Sequence, residues 1–334
     1  MDKARSGLFA QDIAQDAHAE IGMLEFVDPF LLRLFPQDPE HIRLNFAALA
    51  DVHVDWRSFR WRRLHAALHD MEHSYTPMDA LVTLGDTTDH GEPDHWEMAE
   101  WIFMQHKPAK ELIFAIGNHD TWSHTQNHGR EFKDLFIEYS EKICGRKLDK
   151  VYFYTEVKGY PFIALGSESD CLNADISDEQ LAWFENAMEK AAATGKPIFV
   201  LCHQALNQTH GLPRTFDRKE DYKTMDEGGI GDASDKVKAI MKKHKNVFYM
   251  SGHSHMGLNG KYTQNKKGYC TVEHDGSLHL FNLPCFMFWN HHGIKWCGLG
   301  IQFEVYDEKV VVRPRSYASR LWYSLYRQEI ALEK

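Results

Sequence analysis

The sequence predicts an α/β layered fold, and three observations carry that expectation. From residue 42 onward, short apolar runs of strand length alternate with segments of helical period, the pattern of sheets covered by helices. Asp, His and Asn gather directly after five of the six main runs, where open α/β sheets hold their ligands. The composition is that of a packed chain. With 334 residues, 43% of them hydrophobic, and 20 Phe, 13 Tyr and 9 Trp, a disordered or fibrous chain is excluded and a sizeable core can be buried.

Residues 1–41 stand apart. Acidic residues outnumber Lys3, Arg5 and Arg33, apolar groups recur at Phe9, Ile13, Ile21, Leu24 and 30–35, and Pro36 and Pro39 close the segment. A helical arm is expected, packing on the main domain or on a second subunit, which leaves a homodimer open. A membrane-surface helix is disfavoured, because the polar face lacks Lys and Arg.

Residues 42–334 form the second unit. Its apolar runs are 44–50, 80–84, 112–116, 162–165, 198–202 and 247–250. A helix is expected over 56–71, where Trp56, Phe59, Leu64, Ala67, Leu68 and Met71 share a face, and another over 132–143, with a stripe of Phe132, Leu135, Phe136, Tyr139 and Ile143. Ser177-Asp-Glu-Gln180 reads as a capping box opening a helix to about residue 192, and 235–243 is a shorter helix. Near the C-terminus, alternating Ile301, Phe303 and Val305, followed by 310–312, reads as a β-hairpin around Asp307 and Glu308.

No stretch approaches the roughly 18 uninterrupted apolar residues of a spanning helix, and Gln11 and Asp12 interrupt the first apolar run too early for a signal sequence. A cytoplasmic location is the simplest reading. The six cysteines form no CxxC pair and read as reduced thiols. A formal net charge of −10 gives no basic footprint for nucleic acid.

The chemistry sits after the strands. Asp51-x-His53 follows the first run. Gly85-Asp86, with Asp89-His90-Gly91, follows the second, and Gly117-Asn118-His119-Asp120 the third. His203 follows the fifth, and Ser251-Gly252-His253-Ser254-His255 the sixth. Carboxylate and amide oxygens with several imidazoles suit Mn, Fe, Zn, Co or Ni better than Ca or a thiolate site. A central carboxylate can bridge two ions roughly 3.5–4 Å apart, the spacing of two-metal phosphoester hydrolases.

This string resembles that of the calcineurin-like metallophosphoesterase superfamily, over roughly residues 42–315. Ser177-Asp-Glu-Gln180-Leu-Ala-Trp183-Phe ahead of the run ending at His203 is similar to its class III cyclic-nucleotide-phosphodiesterase-like branch. The resemblance implies a four-layer β-sandwich flanked by helices, with a strand-rich C-terminal part, so that 42–334 is the catalytic domain. It implies two divalent ions, with Mn, Fe or Zn as candidates. One would be held by Asp51, His53, Asp86 and His255, the other by Asp86, Asn118, His203 and His253. His119 would be the catalytic histidine and Asp120 would orient it. A hydroxide bridging two cations is a nucleophile at neutral pH, because metals lower the pKa of bound water.

Departures from sister branches narrow the substrate. Protein Ser/Thr phosphatases of the superfamily carry arginine where this chain has His90 and glutamate at Asp120, so the guanidinium fork for a phosphoprotein is missing. Purple acid phosphatases have a tyrosine ligand at the position of Asp89. The recombination-repair nucleases share Gly-Asn-His-Asp, but the acidic charge opposes DNA. A small phosphodiester is the first expectation. The alternatives are a phosphomonoesterase on protein or small molecules, a nuclease, and a non-catalytic metal-binding scaffold.

Other histidines carry open readings. His65, His69 and His73 are four apart on the first helix and read as a solvated face, with an accessory metal site as the alternative. Arg57, Arg60, Arg62 and Arg63 read as a solvated basic face. His90, His124 and His128 either touch substrate, support the ligands or are merely exposed. The long segment 207–232, with His210, is expected to wall the pocket, and the aromatic stretch 281–292 to be a core strand rather than a stacking platform.

Overall fold

A computed structural model of the chain describes residues 38–56, 60–74, 76–122, 132–169, 173–212, 228–258, 271–287, 290, 293, 294 and 296–334. The arm over 1–37, His124, His128 and residues 213–227 lie outside the described residues.

Along the chain come β1 (Leu44–Leu49), α1 (Arg60–Glu72), β2 (Ala80–Leu84), α2 (Pro93–Phe103), β3 (Glu111–Ala115) and α3 (Phe132–Cys144). Next are β4 (Phe153–Val157), β5 (Tyr160–Ala164), α4 (Asp178–Ala192), β6 (Ile198–Leu201), α5 (Ser234–Met241) and β7 (Val247–Ser251). The last part is all strand: β8 (Val272–Asp275), β9 (Leu278–Asn282), β10 (Leu299–Val305), β11 (Lys309–Ser316), β12 (Leu321–Trp322) and β13 (Gln328–Ala331).

Two mixed sheets result. The first runs β12-β11-β10-β1-β2-β3, with β13 also pairing β11, and the second runs β4-β5-β6-β7-β9-β8. Within them β1, β2 and β3 are mutually parallel, and so are β5, β6, β7 and β9. The sheets pack face to face. Phe46 of β1 meets Phe162 and Phe199 of the second sheet at ring-centroid distances of 5.2 and 4.9 Å and stacks on Phe303 at 4.8 Å.

Strand periodicity divides the second sheet between two cores. Phe162, Phe199 and Phe248 point into the sandwich, while their neighbours Ile163, Val200 and Tyr249 join Phe184, Met188, Val237 and Met241 beneath α4 and α5. Leu64, Leu68, Trp96, Phe103 and Phe136 of α1, α2 and α3 belong to the core that contains the first sheet. Four layers follow, as expected, and strands covered on both faces have near-continuous apolar runs for that reason.

The hairpin near the C-terminus is longer than its alternating core, with Val305 paired to Val310 and the ladder continuing to Leu299 and Ser316. Buried inside that ladder, Arg313 donates to Glu304 at 2.6 Å. The capping box of α4 is only half made. Ser177 Oγ accepts the Gln180 amide at 3.1 Å, but the Gln180 carboxamide is buried against Gly166, and Glu168 instead accepts the Ser177 N–H at 2.9 Å. Among the described residues of 281–292, the strand extends only to Asn282.

Candidate metal centre

The carboxyl ends of β1, β2 and β3 in one sheet and of β6 and β7 in the other converge on one spot. Every ligand candidate lies in the first few residues beyond these ends. The backbone there is bent sharply: Asp51, His53, Asp86, His253 and His255 all have positive φ, between 48° and 67°. Left-handed backbone is disfavoured for L-residues, though Asp and His tolerate it better than most, and clusters of it mark functional loops. Hydrogen bonds hold the bends, with His53 N donating to Asp86 O at 2.8 Å and His253 N to both Asp51 carboxylate oxygens at 3.1 Å. Gly117 is obligatory for close approach, since a Cβ there would collide with the amide and carboxylate of Asp86.

The seven expected ligands are brought together as two groups sharing Asp86. In the first, His255 Nε2 lies 3.3 Å from Asp51 Oδ1 and 3.3 Å from His53 Nε2, which is 3.7 Å from Asp86 Oδ2. In the second, His203 Nε2 is 3.1 Å from Asp86 Oδ2, from Asn118 Oδ1 and from His253 Nδ1. Each group therefore combines residues from both sheets. Asp51, His53, Asp86 and His203 are at most 1% exposed. Several lone-pair donors facing one another out of water repel unless a cation or proton lies among them, so the donor set fits divalent ions. Supporting contacts aim the rings: His203 Nδ1 donates to Leu84 O at 2.7 Å, and His53 Nδ1 to Asp89 Oδ1 at 3.0 Å.

Electrostatics match this reading. Burial alone would raise the Asp86 carboxyl, yet His203, His119 and His53 hold it well below the usual carboxylate range. Burial opposes a charge on His203, but Asp86 and then Asp51 lift it to about 9. Burial and the neighbouring His203 push His253 down to about 3. Without a metal, a proton on His203 thus balances the buried carboxylates, and a cation would take its place.

His119 stands beside the ligands, its ring 4.6 Å edge-on from that of His53. Its amide donates to Asp86 Oδ1 at 2.8 Å, and its Nδ1 donates to the backbone carbonyl of Asp89 at 2.6 Å. The direct orienting contact expected of Asp120 is not found among the described residues. Asp120 Oδ1 accepts from the Thr88 amide and hydroxyl, and Oδ2 accepts from the Gly117 amide at 2.9 Å. Its carboxylate is fully buried and, with the Asp86 charge nearby, is raised to about 6. The ring is set instead by Asp89, which touches both His53 and His119. The contact to His119 uses the Asp89 backbone carbonyl, which leaves no mark on residue identity, while the contact to His53 uses its carboxylate.

His90 stacks 6.1 Å from His119, and the half-exposed Trp122 stands edge-on to His119 at 4.7 Å, so these two wall the open side. His210 is buried, its amide donating to Glu273 Oε2 at 2.7 Å. Arg63 is not part of a purely solvated face, since it donates to the Met287 carbonyl at 2.5 Å.

A family model described as calcineurin-like phosphoesterase matches residues 44–257, more than half of the chain. The chain belongs to the calcineurin-like phosphoesterase family. Members of this family are dinuclear-metal phosphoric ester hydrolases, and this chain has two clusters of potential metal ligands that share Asp86. A Rhodococcus erythropolis protein named a probable cyclic nucleotide phosphodiesterase is 32% identical over 146 residues, a match spanning 42% of this chain and 44% of that relative. Among solved structures, a dimetal phosphatase from Danio rerio superposes with a TM-score of 0.57 at 13% identity, covering 87% of this chain and 100% of that one. The purple acid phosphatase from yellow lupin (Lupinus luteus) seeds gives a TM-score of 0.58 at 11% identity, covering 86% of this chain and 53% of that one. These likenesses establish the fold. No helix among the described residues is long and apolar enough to cross a membrane.

Proposed function

We propose that the chain is a dinuclear-metal phosphodiesterase acting on a small phosphodiester, of which a cyclic nucleotide is one form. The observation that carries the reading is Asp86 Oδ2, poised 3.7 Å from His53 Nε2 and 3.1 Å from His203 Nε2, as a carboxylate shared by two ligand groups. Asp51, His53, Asp86 and His255 would hold one ion, and Asp86, Asn118, His203 and His253 the other. Bound there, two divalent ions supply Lewis-acid polarisation of the phosphoryl oxygens and a water of lowered pKa.

The chain's own residues do the rest. With Nδ1–H committed to the Asp89 carbonyl, the Nε2 edge of His119 meets the substrate and, when protonated, donates to the leaving oxygen. Asp89 fixes that ring and the His53 ring together. His90 and Trp122 give the open side an aromatic wall, which suits an ester bearing a planar group. The named activity of the Rhodococcus relative supports a diester, and the net charge of −10 supports a small substrate over nucleic acid. Six cysteines without a CxxC pair support a reducing, cytoplasmic location. The arm over 1–41 would serve a homodimer, which sedimentation of the full chain and of a truncated form would test.

The deciding experiment loads the protein with Mn, Fe or Zn and compares bis(p-nitrophenyl) phosphate, p-nitrophenyl phosphate and cyclic nucleotides. Faster turnover of diesters is expected. Preference for the monoester would overturn the diester reading, and full metal occupancy without any hydrolysis would overturn the enzymatic one.

A further inference from the structure

On the outer face of the first sheet, away from the residues assigned above, a second group of imidazoles comes together. His65 and His69 lie one helical turn apart on α1, the i and i+4 spacing at which two imidazoles share a face and can chelate one ion. Their partner comes from another element. His106, in the turn following α2, sets its ring 4.4 Å edge-on from His65 and 6.2 Å from His69. His73, one turn further along, stacks on His69 at 4.3 Å.

His106 is the telling member. Its side chain is only 5% exposed. Its Nδ1 donates to Glu72 Oε2 at 3.1 Å, which leaves the lone pair on Nε2, and that buried Nε2 has no hydrogen-bond partner among the described residues. Burying an acceptor without a partner is unfavourable. A carboxylate on one imidazole nitrogen with the other nitrogen left as a donor is the arrangement of metal-ligating histidine. His65 and His69 are at least partly exposed and so can turn toward a common ion. The competing contact is a long one, from Arg320 to His69 Nδ1 at 3.5 Å.

We propose that His65, His69 and His106 form an accessory site for a borderline divalent cation of the Zn2+ class, with Glu72 positioning His106. Three imidazoles select such ions over Mg2+ or Ca2+, which prefer oxygen. The bound ion would tie α1 to the turn after α2, the two elements that follow the Asp51 and Asp86 loops. This site is independent of the catalytic reading, because its measure is metal content rather than turnover.

The test is equilibrium dialysis of the metal-loaded full chain against Zn2+, with bound zinc counted per chain in wild type, His65→Ala, His69→Ala and His106→Ala. Wild type should retain one more equivalent than each variant, with hydrolysis of bis(p-nitrophenyl) phosphate unchanged. Glu72→Gln should weaken that extra equivalent about 10- to 100-fold without removing it. Should His106→Ala fail to fold by circular dichroism, the variants at the partly exposed His65 and the exposed His69 carry the test. Equal zinc content in wild type and the folded variants overturns the proposal, as does a Glu72→Gln protein of unaltered zinc affinity.

Discussion

Asp120 Oδ1 accepts both the backbone N–H and the hydroxyl of Thr88, at 2.8 and 3.1 Å. The aspartate following His119 therefore staples the loop after β3 to the loop after β2. Replacing it with alanine strands three buried donors, and Asp120→Ala should lower stability by about 3 kcal/mol, read as a drop in the urea midpoint. Unchanged stability with turnover alone reduced would restore a direct catalytic role.

Asp86 and His119 should separate metal binding from chemistry. Asp86→Ala removes the carboxylate common to both ligand groups, so metal content and hydrolysis should vanish together. His119→Ala should keep both ions while turnover falls about 10²- to 10⁴-fold, the usual worth of one general acid. Elemental analysis beside kinetics distinguishes the two. A His119→Ala enzyme with full activity on diesters contradicts the assigned role.

Metal affinity should rise with pH. His203, held at about 9 by its neighbouring carboxylates, is protonated below that value and must lose its proton to ligate. Each unit of pH below 9 thus weakens the ion at His203 about tenfold, and above it the dependence flattens. Calorimetric titration at pH 6.5 and 8.5 should differ by about 100-fold. A flat profile would mean that the proton sits elsewhere.

Phe46 links the sheets, so Phe46→Ala should cost about 3–5 kcal/mol in unfolding free energy. A cost below about 1 kcal/mol would show that its contacts with Phe162 and Phe199 are not what holds the layers together.

The strands nearest the site were the most legible part of the chain, because burial on both faces makes 44–49, 80–84 and 198–201 nearly continuously apolar, broken only by Asn45 and Thr83. Their polar ends stood out against that background, and seven ligand candidates could be read from them. α2 was missed although Pro93 occupies its first turn and Trp96, Ala99 and Phe103 follow a helical period. The polar loop just before it masks the onset. β8 and β13 escaped notice because short strands at sheet edges alternate weakly, as Val272-Glu-His-Asp275 shows. The part of Asp89 was out of reach for another reason: its carboxylate meets His53 and its backbone carbonyl meets His119, a pairing set by the loop's path.

The division of each ligand group between the sheets bears on how the protein acquires its ions during synthesis. Asp51, His53, Asp86 and Asn118 leave the ribosome well before His203, His253 and His255, which follow only after β6 and β7. A nascent chain that has completed β3 therefore offers oxygen-rich half-sites with few imidazoles, too incomplete to discriminate among cations. Selection waits until the second sheet has docked. The identity of the bound metals should then reflect what the compartment supplies after translation, not what the emerging chain first meets.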